Sequence, residues 1–205
     1  MGLIAKLSQR VGILTKLSNV MPSDKFDQIC EGLFTSKLIY CLPLWAHVFN
    51  LPTMDDNNRR YTAFSKSDNR RLQVLQNRVL RLKTGLPRDT HLTDLLQESN
   101  CMSVQQLTAY HTLMTVHRVI TTGFPKYLAN KLKLKKPGVV VFPHRQLNTI
   151  EVPNVNLTLS RGGFIYRGAI LWNLLPQIMR SEENPKSFKN QLRKWIKFNI
   201  SPKPS

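Results

Sequence analysis

The residues best placed to do chemistry are two adjacent carboxylates, Asp55 and Asp56, in the run Pro52-Thr53-Met54-Asp55-Asp56-Asn57-Asn58. Paired aspartates of this kind can serve a two-metal phosphoryl-transfer site, in which converging carboxylates hold cations about 3.5–4 Å apart. That chemistry needs a further aspartate from a neighbouring element and an apolar strand to fix the pair. The only upstream acids are Asp24, Asp27 and Glu31, all on one expected helix, and Pro52 and Asn57-Asn58-Arg59-Arg60 flank the pair. A three-residue motif without its structural context carries little, and the stretch reads as a polar turn. The histidines, His47, His91, His111, His117 and His144, are scattered, and His111 and His117 fall on different faces of one helix. Cys30, Cys41 and Cys101 lack Cys-x-x-Cys spacing and read as reduced, mostly buried thiols. No phosphate-binding glycine loop is present. The sequence therefore predicts no catalytic residue, no metal site and no cofactor.

The charge balance is what remains. Thirty Lys and Arg oppose twelve Asp and Glu in 205 residues, a net charge of +18 with a pI near 10.3. Such an excess calls for a polyanion, nucleic acid first and an anionic membrane surface second. A hydrophobic fraction of 41% is too high for a disordered basic tail, so the chain is expected to fold. No apolar stretch reaches the ~20 residues of a membrane span, and Lys6, Arg10 and Lys16 interrupt the N-terminal run that superficially resembles a signal peptide. The expected location is intracellular, nucleus or cytoplasm.

The elements that must position this charge are helical. Leu3, Leu7, Val11, Leu14 and Leu17 recur at helical spacing. A second helix is expected from Pro22-Ser23-Asp24, with Phe26, Ile29, Cys30, Leu33 and Phe34 on one face, leading into the buried run LIYCLPLWA, where Pro43 can break it. Residues 1–50 thus form one helical segment and 51–67 a polar loop. Asp68 is the expected N-cap of a helix with Leu72, Leu75, Val79 and Leu82 on its core stripe, stopped by Gly85 and Pro87. Thr90 is expected to open a short helix. Ser103-Val104-Gln105-Gln106 is a capping box for the next one, which runs to Gly123. Residues 68–132 read as a basic helical bundle, and 133–163 as loop with one or two short strands. Residues 164–199 return to helix, the last one starting at Asn184-Pro185, and 200–205 read as a disordered tail. The fold class is all-α with a loop-rich middle.

Cations gather at three places: Arg59 to Lys83, Lys126 to Lys136, and Lys186 to Lys197. Several Lys or Arg acting together on phosphates release counterions, which gives salt-steep, sequence-tolerant affinity. The residues predicted to touch phosphate are Arg70, Arg71, Arg78, Arg81 and Lys83, Arg88 beside the helix start at Thr90, and Lys189, Arg193 and Lys194. Trp45, Trp172 and Trp195 sit in apolar surroundings and read as core, not base-stacking, residues.

Three signatures add a resemblance. LQNRVLRLKTGLPRDT, Leu75 to Thr90, resembles the segment after the polymerase core in reverse transcriptases of non-LTR, jockey-like LINE retrotransposons. FIYRGAILWNLLP, Phe164 to Pro176, is similar to that family's Arg followed by Leu-Trp-Asn-x-Leu-Pro, and PKSFKNQLRKWI, Pro185 to Ile196, is similar to its closing helix. LIYCLPLWA resembles the family's Tyr-Gly-x-x-x-Trp-Gly, with Cys41 and Ala46 in place of glycines, and the opening helix is similar to its thumb region. The resemblance implies that the family's catalytic aspartates lie N-terminal to the segment matching residues 1–18. The chain would then be the non-catalytic thumb and post-thumb region of an RNA-directed DNA polymerase, a partner of a separate fingers and palm core, gripping RNA or an RNA/DNA template-primer. Two rivals stand beside it: a non-functional transposon remnant, and a basic peripheral membrane protein using its amphipathic terminal helices.

Overall fold

A computed structural model describes residues 2–40, 42–45, 66–135, 148–154, 163–200 and 202. The expected polar turn at Asp55-Asp56, most of the tail, most of the loop and strand segment, and His47 and His144 lie outside the described residues.

The fold is all-α. Helix α1 (Leu3–Leu17) buries Leu7, Val11 and Leu14. Helix α2 (Ser23–Cys30), N-capped at Pro22, runs into a π-helical stretch, Glu31–Thr35, and on into α3 (Ser36–Ile39). The wider π turn keeps Phe26, Cys30, Phe34 and Leu38 buried in one core. After Tyr40 the short α4 (Leu42–Trp45) carries Pro43 in its first turn, where a missing N–H costs nothing.

Helix α5 (Lys66–Thr84) packs on α1 and α2. Leu72, Leu75 and Val79 close this first core as their spacing predicts, with Leu82 partly buried against it. The helix begins two residues before Asp68, which lies in the first turn and is not the N-cap. A carboxylate there still complements the positive end of the helix dipole. A second side of α5 is also covered, since Leu80 packs with Leu95 and Leu96 of α6 (Leu92–Glu98). That helix is capped at His91, one residue beyond Thr90. Gly85, at φ +71°, ends α5.

Helix α7 (Val104–Thr122) is the hinge pin of the fold. Its capping box is formed: Gln106 N–H donates to Ser103 Oγ at 3.2 Å and Ser103 N–H to Gln106 Oε1 at 3.1 Å. Gly123 in the left-handed region closes its other end. The larger core lies along α7, built with α8 (Lys126–Ala129), α9 (Phe164–Asn173), α10 (Gln177–Arg180) and α11 (Pro185–Asn199). Trp172, Phe188, Leu113 and Leu192 are fully buried there, each such side chain contributing about 1.5–3 kcal/mol. His117 stacks on Phe188 with ring centroids 4.0 Å apart and donates from Nε2 to the Glu182 carbonyl at 2.8 Å, so its role is structural. Leu134 and Ile150 form an isolated antiparallel bridge, the one extended pairing among the described residues.

The Trp-Asn pair of α9 holds that bridge. Trp172 Nε1 donates to the Asn148 carbonyl at 2.8 Å, while Asn173 accepts from Ile150 N–H at 2.8 Å and donates back to the Ile150 carbonyl at 2.9 Å. Arg167, one turn earlier, is buried and donates from Nη2 to the Pro43 carbonyl at 3.1 Å, tying α9 to α4. Burial pushes its pKa down to about 10, which leaves it charged at neutral pH.

Candidate nucleic-acid interface

The buried stripe of α5 fixes what faces water. Ser67, Arg70, Arg71, Val74 and Arg78 are exposed, spaced as neighbours on one helical face. At 1.5 Å per residue, Arg70 and Arg78 stand ~12 Å apart along the axis. Asp68 in the first turn is the one carboxylate of the helix, and none occurs between Asn69 and Arg88. Beside this face, Ile4 and Ser8 of α1 meet Arg70, Arg71, Val74 and Leu75 around an open cleft of about 420 Å³. The arrangement offers guanidinium groups over a partly apolar floor, suited to a phosphate backbone held without base readout.

Two predicted contacts on the same helix are committed within the fold. Arg81 is half-buried and donates from Nε to the Pro87 carbonyl at 3.1 Å and from Nη2 to the Thr90 carbonyl at 3.2 Å, pinning the loop between α5 and α6. Lys83 pairs with Asp27 of α2 at 3.5 Å and is 17% exposed. Their spare donors can reach solvent, but their first duty is to the loop and to α2. Arg88 is exposed beside Asp89 in that loop. It lies four residues before the helix start that the sequence placed at its side, since α6 begins at Leu92.

Helix α11 carries the second basic face. Phe188, Leu192 and Ile196 are buried, and Lys186, Lys189, Arg193, Lys194 and Lys197 are exposed on the other sides. No carboxylate interrupts them between Asn184 and Ile200. Arg193 lies over the Tyr110 ring, 5.8 Å from its centroid, and Lys197 Nζ donates to Asn100 Oδ1 at 3.2 Å. Lys189 and Lys194 are exposed on the same helix. The start of this helix is firmly built: Asn184 Oδ1 accepts from Lys186 N–H at 2.9 Å, and the Glu182 carboxylate accepts from Ser187 Oγ at 2.5 Å, from Asn184 N–H and from Gln191 Nε2. The Ser187 bond leads in holding the Glu182 pKa below its usual range.

The structure thus separates Arg70, Arg71, Arg78, Arg88, Lys189, Arg193 and Lys194, which face water, from Arg81 and Lys83. No family model, curated protein or solved structure matches this chain. Among the described residues no group of three or more His, Cys, Asp or Glu side chains could hold a metal ion, and no helix is long and apolar enough to cross a membrane.

The residues that sequence reasoning missed are glutamines. Gln73 and Gln76 of α5 are buried and bind the N-terminal end of α7: Val104 N–H donates to Gln73 Oε1 at 2.9 Å and Gln76 Nε2 donates to the Met102 carbonyl at 2.8 Å. Gln106 Nε2 donates to the Ile200 carbonyl at 3.0 Å, so the end of α11 is fastened to the same point. Through these bonds the helices bearing the two basic faces are joined at one buried polar node. The available signal was the place of Gln73 and Gln76 next to Leu72 and Leu75 on the buried side.

Proposed function

We propose that the chain is a non-catalytic nucleic-acid-binding element, the C-terminal thumb and post-thumb part of a retrotransposon reverse transcriptase, that holds RNA or an RNA/DNA template-primer by phosphate contacts. The observation that carries the reading is the exposed face of Arg70, Arg71, Val74 and Arg78 on α5, a helix whose one carboxylate is Asp68 in its first turn. Such a face supplies charge at regular spacing for successive phosphates, so affinity is expected to be salt-steep and sequence-tolerant. The retrotransposon part rests on the motifs at Leu75–Thr90, Phe164–Pro176 and Pro185–Ile196 alone. A fingers and palm core would be the natural partner under this reading, and its location would be nucleus or cytoplasm. The test is RNA affinity against salt for the chain and for Arg70→Glu/Arg71→Glu/Arg78→Glu: the variant should bind more weakly and with a shallower salt slope.

A second reading is favoured by one observation. Phe198, 90% exposed, stands at the end of the cationic α11, an arrangement compatible with a membrane surface. Binding to anionic vesicles that resists competition by RNA would select it. The remnant reading is separated by hydrogen exchange, because a remnant would lack slow amides in α7 and α11.

A further inference from the structure

At the turn from α7 into α8, two exposed aromatic rings stand among exposed cations. Phe124 is 61% and Tyr127 67% exposed, neither covered by the core behind them. Exposed around them are Arg118 on the last turns of α7, Lys126, and Lys131 just beyond α8. Along the sequence no carboxylate occurs from Ser99 to Ile150, while in space Glu182 and Glu183 line a pocket with His117 and Thr121 on another side of the last turns of α7.

The rings are held on a fixed scaffold. Thr122 Oγ1 donates to the Arg118 carbonyl at 2.7 Å and accepts from Phe124 N–H at 3.2 Å, so the last turn of α7 sets the position of Phe124. Gly123 takes φ +67° to turn the chain. Leu128 and Ala129 then bond back to the Pro125 carbonyl at 3.0 and 3.1 Å, and both pack inward against the larger core, which leaves Tyr127 outward. Two large rings exposed at a turn held by these bonds, with Lys126 between them in sequence, offer apolar faces beside positive charge.

We infer that Phe124 and Tyr127 are a stacking platform for single-stranded nucleic acid, with Lys126, Lys131 and Arg118 taking the adjacent phosphates. The inference rests on the nucleic-acid reading above but assigns a different site and a different form of the polymer. Unpaired bases offer π faces that a duplex keeps stacked inside, and a basic surface with interleaved aromatic side chains binds them with little regard to sequence. A membrane fits the patch less well. Its neighbours Thr121, Thr122 and Asn130 are exposed and polar, and α8 is a single turn, whereas interfacial helices present a continuous apolar face.

The test uses the full chain, short labelled oligouridine, an RNA duplex and anionic vesicles. Phe124→Ala/Tyr127→Ala should lose roughly tenfold or more in affinity for the single strand, with duplex affinity and the salt slope unchanged. Phe124→Tyr/Tyr127→Phe should retain binding, and Lys126→Glu/Lys131→Glu should weaken it with a shallower salt slope. Undiminished single-strand binding by the alanine variant, an equal loss on duplex, or wild-type binding to vesicles but not to oligouridine would each overturn the inference. Failure of the α5 reading is a separate result, seen as duplex affinity that ignores Arg70→Glu/Arg71→Glu/Arg78→Glu.

Discussion

Gln73 of α5 accepts the backbone N–H of Val104 at 2.9 Å and so satisfies, from a different helix, one of the donors that the first turn of α7 leaves open. Its Nε2 is used as well, donating to Gln76 Oε1 and Asn77 Oδ1, each at 2.9 Å. Gln73→Ala should therefore cost about 1–3 kcal/mol, the penalty of a buried donor left without its acceptor. For a chain of this size that lowers the melting temperature by about 2–4 °C per kcal/mol. Urea unfolding gives the free energy directly, and a loss no larger than that of an exposed control such as Gln97→Ala would mean that the node contributes nothing.

Gly168 lies where α9 crosses α7: a Cβ on it would meet Val116 Cγ2 at 3.0 Å. Gly168→Val should destabilise the fold by about 1–3 kcal/mol through overpacking. Val116→Ala in the same background should recover part of that loss, because the two side chains compete for one space. Thermal unfolding of the two single variants and the double variant checks the coupling, and strict additivity would contradict it.

Asn173 imitates a strand neighbour for Ile150. Asn173→Ala removes both hydrogen bonds to that backbone, so the Ile150 amide should exchange markedly faster while amides of α11 stay slow. The measurement is site-resolved hydrogen exchange.

Glu182 should give the chain an acid limb. Its folded pKa is held below the ordinary glutamate value, first by the Ser187 hydroxyl, so the unfolded state binds protons first as pH falls. The stability it contributes is present above the unfolded pKa and is lost as pH drops through the folded one. Unfolding midpoints measured from neutral pH to below pH ~4 should fall less steeply for Glu182→Gln than for wild type; parallel curves would contradict the assignment.

How much of this was legible in the sequence depends on what each residue answers to. Leu72, Leu75 and Val79 could be read because one apolar stripe at helical spacing has one outcome, and the outward placing of Arg70, Arg71 and Arg78 follows from it. Leu80 was not legible, since its burial depends on α6 folding onto a second side of α5. Arg81 and Lys83 look like their neighbours in sequence, but their partners are the carbonyls of Pro87 and Thr90 and the carboxylate of Asp27, which only the fold brings near. Ser103, Asn184 and Gly123 were readable because caps are local chemistry. The π stretch at Glu31–Thr35 has no comparable mark, and Asp68 was set at a boundary that its own charge suits from two residues inside.

The central claim is that exposed arginines on α5 bind phosphate, and salt dependence addresses it most directly. RNA affinity measured between about 50 and 200 mM salt should fall steeply, on a log-log slope that Arg70→Glu/Arg71→Glu/Arg78→Glu lowers in magnitude by about 3, one for each lost phosphate contact. A flat salt response of the wild-type chain, or a variant that binds RNA with the same affinity and slope, would contradict the account.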